Sequence, residues 1–138
     1  MANFKEKNRG CVLLENEAGH YLFIKENNDD YWILPGGKKE QYESWFSTAE
    51  RELREELGIE STKLSFRGMI ENHFQIENTV YHETMIVFSA QCVVIVANHE
   101  KHIKRECRWV PPEALATLNL KPEPLRPLLL EKLTYCRI

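Results

Sequence analysis

The sequence predicts an α/β sandwich built on a mixed β-sheet. Three observations carry that expectation. Short apolar runs of strand length recur along the chain, one amphipathic helix lies between turn-forming glycines near the middle, and two proline-led segments with helical spacing close the last third. The 138 residues suit one domain, residues 1–138, large enough to bury a core without staples.

The elements follow in order. Residues 10–14 (Gly-Cys-Val-Leu-Leu) form an apolar run typical of a buried strand, and Asn16-Glu17-Ala18-Gly19 turns it into a second strand at 21–25, a hairpin. Residues 26–30 are a polar loop, followed by a short strand at 31–34. Pro35-Gly36-Gly37 breaks that strand and lets the backbone approach a ligand, because no Cβ stands in the way at either glycine. A helix then starts at the N-cap candidate Ser44 and stops at Gly58. Strands are expected at 64–75, interrupted or bent at Gly68, and at 79–96. Residues 98–105 read as a polar loop and 107–110 as a short strand. Helices are expected at 112–118 and 124–133, each with proline near its start.

Composition narrows the function classes. A net charge of −3 gives no basic footprint for duplex DNA or long RNA. Cys11, Cys92, Cys107 and Cys136 contain no C-x-x-C pair, so neither a zinc knuckle nor a disulfide framework is suggested, and reduced thiols fit a cytoplasmic setting. The N-terminal residues are polar, unlike a signal peptide, and no apolar run approaches the ~20 residues of a membrane span.

The central helix carries the chemistry. At about 100° per residue, Glu52, Glu55 and Glu56 share an arc of roughly 100°, beside an apolar stripe of Phe46, Ala49, Leu53 and Leu57. Three acids at a helix C-terminus meet the negative end of the macrodipole and repel one another. A divalent cation would relieve both costs, and Mg²⁺ selects carboxylate oxygen while leaving positions for water and phosphate. A solvated helix face, with Arg51 and Glu55 as an i,i+4 pair, accounts for the acids alone equally well.

The spacing of the whole segment decides between these readings. Residues 37–59 match G-x5-E-x7-R-E-U-x-E-E-x-G-U, with U apolar, at Gly37, Glu43, Arg51, Glu52, Leu53, Glu55, Glu56, Gly58 and Ile59. In this the chain resembles the Nudix hydrolases, in particular compact MutT-like members. Trp32 to Gly37, Tyr81-His82-Glu83, and Arg108-Trp109-Val110-Pro111 are similar to flanking segments of that family. Tyr42, Trp45 and Leu57 depart from it, standing where glycine, proline and threonine are common.

The resemblance implies a Nudix-type α/β/α sandwich and hydrolysis of the pyrophosphate bond of a nucleoside diphosphate linked to another moiety, with Mg²⁺ as cofactor and Mn²⁺ as substitute. It implies that Glu52, Glu55 and Glu56 hold metal, with the Gly36 carbonyl as a further ligand and Glu43 completing the site directly or through water, and that Gly37 lies against substrate. Arg51 is read as the organiser of the acids. Glu100 and Glu106 are the candidates for the proton acceptor, beside the box glutamates. Arg9, at the head of the first strand, is a candidate phosphate contact. Phe23, Trp32 and Phe74 are candidate base-stacking rings, although aromatics in strands are more often core. His73 and His82 are placed near the site, whereas His99 and His102, two histidines without a third ligand, read as solvated.

The expected partner is a small nucleotide, either a nucleoside triphosphate or an ADP-sugar, acted on by a monomer or homodimer without duplex nucleic acid or membrane. The competing class is a catalytically silent nucleotide-binding or regulatory domain of the same fold. The intact set of box glutamates argues against it. An RNA cap-removing enzyme would need a basic path for the RNA, and the short, acidic chain argues against it.

Overall fold

The computed structural model describes residues 3–60, 63–94 and 96–138. One seven-stranded sheet organises them, with strand order β6-β2-β1-β5-β4-β7 and β3 paired to β1. The strands are β1 (Asn3–Glu15), β2 (Tyr21–Glu26), β3 (Gly36–Lys38), β4 (Ser65–Ile76), β5 (Thr79–Gln91), β6 (Arg105–Val110) and β7 (Tyr135–Arg137); the helices are α1 (Trp45–Leu57) and α2 (Leu125–Leu130). The sheet is mixed: β1 runs parallel to β5 and β4 to β7, and the remaining pairs are antiparallel. Among the described residues no helix is long and apolar enough to cross a bilayer.

Alternation along β1 divides the core. Val12 and Leu14 face one side, where they pack with Ala49, Leu53 and Leu57 of α1. Cys11 and Leu13 face the other, where they join Phe23, Ile70, Val87 and the α2 residues Leu125, Leu128 and Leu129. Helix on one face and helix on the other is the expected α/β/α sandwich.

Several elements differ from the sequence expectation. β1 begins at Asn3 rather than Gly10, because its polar first half is held by the parallel ladder to β5 rather than by burial. The β1–β2 hairpin opens after the Glu15–Tyr21 pair, and the segment expected as a strand at 31–34 fills the gap. It does so with isolated bridges, Ile24 to Ile33 and Trp32 to Leu120, and with the Val12 amide donating to the Pro35 carbonyl at 2.9 Å. The predicted break at Gly36-Gly37 is therefore itself a short strand, docked on Arg9 to Cys11.

The bend expected at Gly68 is a bulge between Phe66 and Gly68. It frees Arg67 to donate to the Leu128 and Leu133 carbonyls at 3.0 and 2.6 Å, which caps the end of α2. β5 stops at Gln91 instead of reaching Val96; residue 95 lies outside the described set. The helix expected at 112–118 is a single 3₁₀ turn, Pro112–Ala114. Beyond it the Thr117 and Leu118 amides both turn to the Ala114 carbonyl, at 3.3 and 3.1 Å, and the Arg126 guanidinium caps the Leu115 and Leu118 carbonyls. The last helix ends at Leu130, and the chain continues into β7, a strand that the sequence did not signal.

Candidate active site

The site is built where α1 crosses β3. Ser44 caps the helix by accepting from the Ser47 amide at 3.0 Å. Gly58, at φ 68°, closes it with its amide on the Arg54 carbonyl at 2.9 Å, a left-handed turn that glycine adopts without a Cβ penalty. The apolar stripe faces the sheet, and this orientation carries Glu52 and Glu56 onto the β3 turn. Glu56 Oε1 accepts from the Gly36 amide at 2.9 Å. A Cβ on Gly37 would stand 2.4 Å from the Glu52 carboxylate, so only glycine allows that approach.

Two arginines hold the acids. Arg51 grips Glu43 with Nε at 2.7 Å and Nη2 at 3.0 Å, reaches Glu52 and Glu55 with Nη1 at 2.9 and 3.2 Å, and donates to the Lys38 carbonyl at 3.0 Å. Arg105, on β6, is the second hub. Its Nη2 lies 3.0 Å from Glu100 and 3.5 Å from Glu56 and also contacts Glu26, to which Nε donates at 2.9 Å. Its Nη1 donates to Asn98 Oδ1 at 2.8 Å.

Burial sets the electrostatics. Glu56 is 5% exposed, and loss of hydration pushes its carboxyl up to about 8; Arg105 and the Gly36 amide oppose the shift, whereas Glu52 and Glu26 add to it. Burial also raises Glu52, against the pull of Arg51. Glu43 moves the other way, down to about 2, because Arg51, the Glu40 amide and the Thr48 hydroxyl all hydrogen-bond its charged form. Arg105 is buried yet held more firmly protonated than usual: desolvation opposes its charge, and Glu26, Glu56 and Glu100 outweigh that.

Beside this cluster lies a pocket of about 500 Å³, lined among others by Arg9, Glu26, Tyr31, Asn72, Phe74 and Glu83. Arg9 Nε is buried there without a hydrogen-bond partner among the described residues, and burial of the guanidinium is offset by Cys11, Glu83 and Glu56.

The expected site residues separate accordingly. Glu52, Glu56, the Gly36–Gly37 turn and Glu100 come together, Glu55 sits at the outer rim beside Arg51, and Arg9 heads the neighbouring pocket. Glu43 does not stand free as a ligand, because both of its oxygens are already taken by Arg51, Thr48 and the Glu40 amide. Glu106 points away: strand alternation puts it on the face opposite Arg105, half exposed and 3.4 Å from Arg108. Phe23 is fully buried in the core and has no face to offer a base. Of the other rings considered, Trp32 is buried under the Arg108 guanidinium, and Phe74 lines the pocket, stacked on Tyr81 with Lys7 above. His73 stacks on His82 at 4.4 Å, and His82 pairs with Glu71 rather than with the acid cluster. Glu26 and Arg105 were not anticipated. The signal that could have found them is their direct opposition in the β2–β6 ladder, which requires knowing that those strands pair.

Comparison with known proteins places the chain in a family. The model of the NUDIX domain matches residues 5–131. The chain is 32% identical over 123 residues to nucleoside triphosphatase NudI of Escherichia coli O17:K52:H18 (strain UMN026 / ExPEC), covering 80% of this chain and 85% of that one. It is 32% identical over 115 residues to putative 8-oxo-dGTP diphosphatase 3 of Mycobacterium tuberculosis (strain CDC 1551 / Oshkosh), covering 81% of this chain and 49% of the relative. A shorter match, 37% over 67 residues, joins 46% of the chain to 42% of an RNA pyrophosphohydrolase of Wolbachia sp. subsp. Brugia malayi (strain TRS). The chain thus spans less than half the length of those last two relatives. Among solved structures, the MutT protein from Methanosarcina mazei Go1 superposes with a TM-score of 0.76 at 26% identity over 96% of each chain. The chain belongs to the Nudix family.

Proposed function

We propose that the chain hydrolyses the pyrophosphate bond of a nucleoside diphosphate linked to another moiety, a nucleoside triphosphate or an ADP-sugar, in a Mg²⁺-dependent reaction for which Mn²⁺ substitutes. The observation that carries this reading is the pair of largely buried carboxylates, Glu52 and Glu56, pressed onto the Gly36–Gly37 turn beside the Arg9 pocket. The relatives named for nucleoside triphosphates and 8-oxo-dGTP favour the triphosphate. A pocket of about 500 Å³ suits a ligand of nucleoside size.

The donor set fits a hard cation. It offers carboxylate oxygens with a backbone carbonyl nearby, and Glu56 is buried deeply enough to need a countercharge. Among the described residues the acids are held by two arginines, Arg51 on Glu52 and Glu55 and Arg105 on Glu56. Glu52 and Glu56 would be the principal ligands, with Glu55 and the Gly36 carbonyl completing the set and Glu43 acting through Arg51. The bound ion would supply charge neutralisation on the phosphate oxygens.

The protein's own groups do the rest. Arg9, which lines the pocket, would contact a phosphate oxygen through its guanidinium and so fix the diphosphate. Arg51 holds the outer carboxylates in one orientation. Glu100 accepts the proton of the attacking water as the new P–O bond forms; the bridging P–O bond breaks, and the second phosphate leaves with its substituent.

The test is a panel of nucleoside triphosphates, ADP-sugars and dinucleoside polyphosphates, incubated with and without Mg²⁺ in ¹⁸O-labelled water, with products identified by mass. Metal-dependent release with label on one phosphate is expected. Absence of turnover across the panel contradicts the proposal.

A further inference from the structure

We infer that Arg105 is a positioning residue for this reaction: it ties loop 98–104, and with it the Glu100 carboxylate, to the buried Glu56. Four features converge on it. Arg105 is 2% exposed at the side chain, although it begins a strand at the edge of the sheet. One guanidinium nitrogen, Nη2, contacts carboxylates from three separate segments: Glu26 at the end of β2, Glu56 on α1 and Glu100 in the loop. The other terminal nitrogen, Nη1, binds Asn98 Oδ1, which also accepts from the Glu100 amide at 3.1 Å. Finally, the loop is stitched to the helix itself, because the His99 amide donates to the Glu56 carbonyl at 2.7 Å.

The consequence is geometric. Asn98 folds the loop on itself by donating to the Glu100 and Ile103 carbonyls at 3.1 and 2.8 Å, so the loop is cross-linked internally. Arg105 is the one cation in direct contact with Glu100 among the described residues, and the same nitrogen reaches Glu56. The proton acceptor and the innermost metal-binding candidate are thereby held on one planar group. Its fork contacts several oxygens at once, which the point charge of lysine cannot reproduce. Glu106, one residue along, has no such tether and faces Arg108. Arg105 also links Glu26, a wall of the nucleotide pocket, to the acid cluster.

The inference rests on the reading of Glu100 as proton acceptor, and the experiment separates the two. Arg105→Lys keeps the charge and loses the fork. The variants Arg105→Lys, Glu100→Gln and the double variant are assayed on the panel nucleotide that wild type turns over fastest, and Mn²⁺ binding without nucleotide is followed by calorimetry. Glu100→Gln should lose activity in every case. Arg105→Lys should lower kcat by about 10–100-fold, the range typical of partners that orient a site, with KM and Mn²⁺ affinity within about threefold of wild type. The double variant should be no more than about threefold slower than Glu100→Gln, because one residue acts through the other.

Wild-type kcat in Arg105→Lys, or losses that multiply in the double variant, overturns the inference while leaving Glu100 in place. Full activity of Glu100→Gln instead removes the underlying reading. Should Arg105→Lys fail to fold, Asn98→Ala carries the test, since it leaves the guanidinium intact but releases the loop. A kcat loss of about tenfold or more supports the tether, and an unchanged kcat opposes it.

Discussion

Two arginines each gather three acids at this site, and they do so under different conditions. Arg51 is one-fifth exposed and sits on the same helix as two of its partners, Glu52 and Glu55. Arg105 is 2% exposed and collects acids that lie 79, 49 and 5 residues away in sequence, by subtraction of their residue numbers. The first arrangement is local and follows from helix geometry. The second exists only after β2, β6, α1 and loop 98–104 have assembled. The difference teaches where a charged site gets its rigidity: the outer half is written into one helix, and the inner half is a product of the tertiary fold.

The comparison can be sharpened by variants on each side. The largest effect is expected at Glu56, the inner carboxylate. Glu56→Gln should lower kcat by about 10³-fold or more, the loss expected when several kcal/mol of charge stabilisation in the transition state are removed. Glu100→Gln comes next, at about 10²–10⁴-fold for a lost proton acceptor, while Glu106→Gln stays within about threefold of wild type. Steady-state kinetics at saturating Mg²⁺ measures both. Equal losses at Glu100 and Glu106 would break the distinction between the tethered acid and the free one.

On the outer side, Arg51→Lys should cost about 10–100-fold in kcat through disordered ligands and leave the fold intact by circular dichroism. Gly37→Ala tests the same junction from the backbone. Its new Cβ has to displace the Glu52 carboxylate, so metal affinity by calorimetry should weaken while the melting temperature changes little.

The smallest effect is a stability effect with a definite sign. Burial raises Glu56 to about 8, so between the unfolded value near 4.5 and that point the folded protein holds a proton that the unfolded chain has released. Metal-free protein should therefore lose stability as pH rises from about 5 to 8. Glu56→Gln removes that slope and should melt about 4 °C or more above wild type at pH 8.5. Glu43 behaves oppositely. Held down to about 2 chiefly by Arg51, it contributes stability above pH 4.5 that fades only as the pH falls through its folded value.

This contrast also explains what the sequence disclosed. The helix, its caps and the Glu52–Glu55–Glu56 arc were legible because they depend on a local period and on residues that terminate helices. The sandwich followed from the alternation of strands and helices. Arg105 and Glu26 were not legible, since a polar residue at a strand end carries no mark of burial until its neighbours are known. Glu43 shows a related limit: spacing reveals that an acid is present, not that Arg51 and Thr48 occupy its oxygens. Phe23 illustrates the limit for aromatics, because a ring in a strand looks the same whether it faces a pocket or the core. The segment 112–118 keeps its proline start but not the α-helical ladder, because the Thr117 amide turns to the Ala114 carbonyl three residues back instead of to Glu113.

The account depends most on the claim that the acids between Arg51 and Arg105 bind a divalent cation for pyrophosphate cleavage. Calorimetric titration of wild-type protein and of a Glu52→Gln/Glu56→Gln variant with Mg²⁺ and Mn²⁺ tests it directly. Saturable uptake by the wild type that disappears in the folded variant is the predicted result. Equal uptake by both proteins, or none by either in the presence of nucleotide, would contradict it.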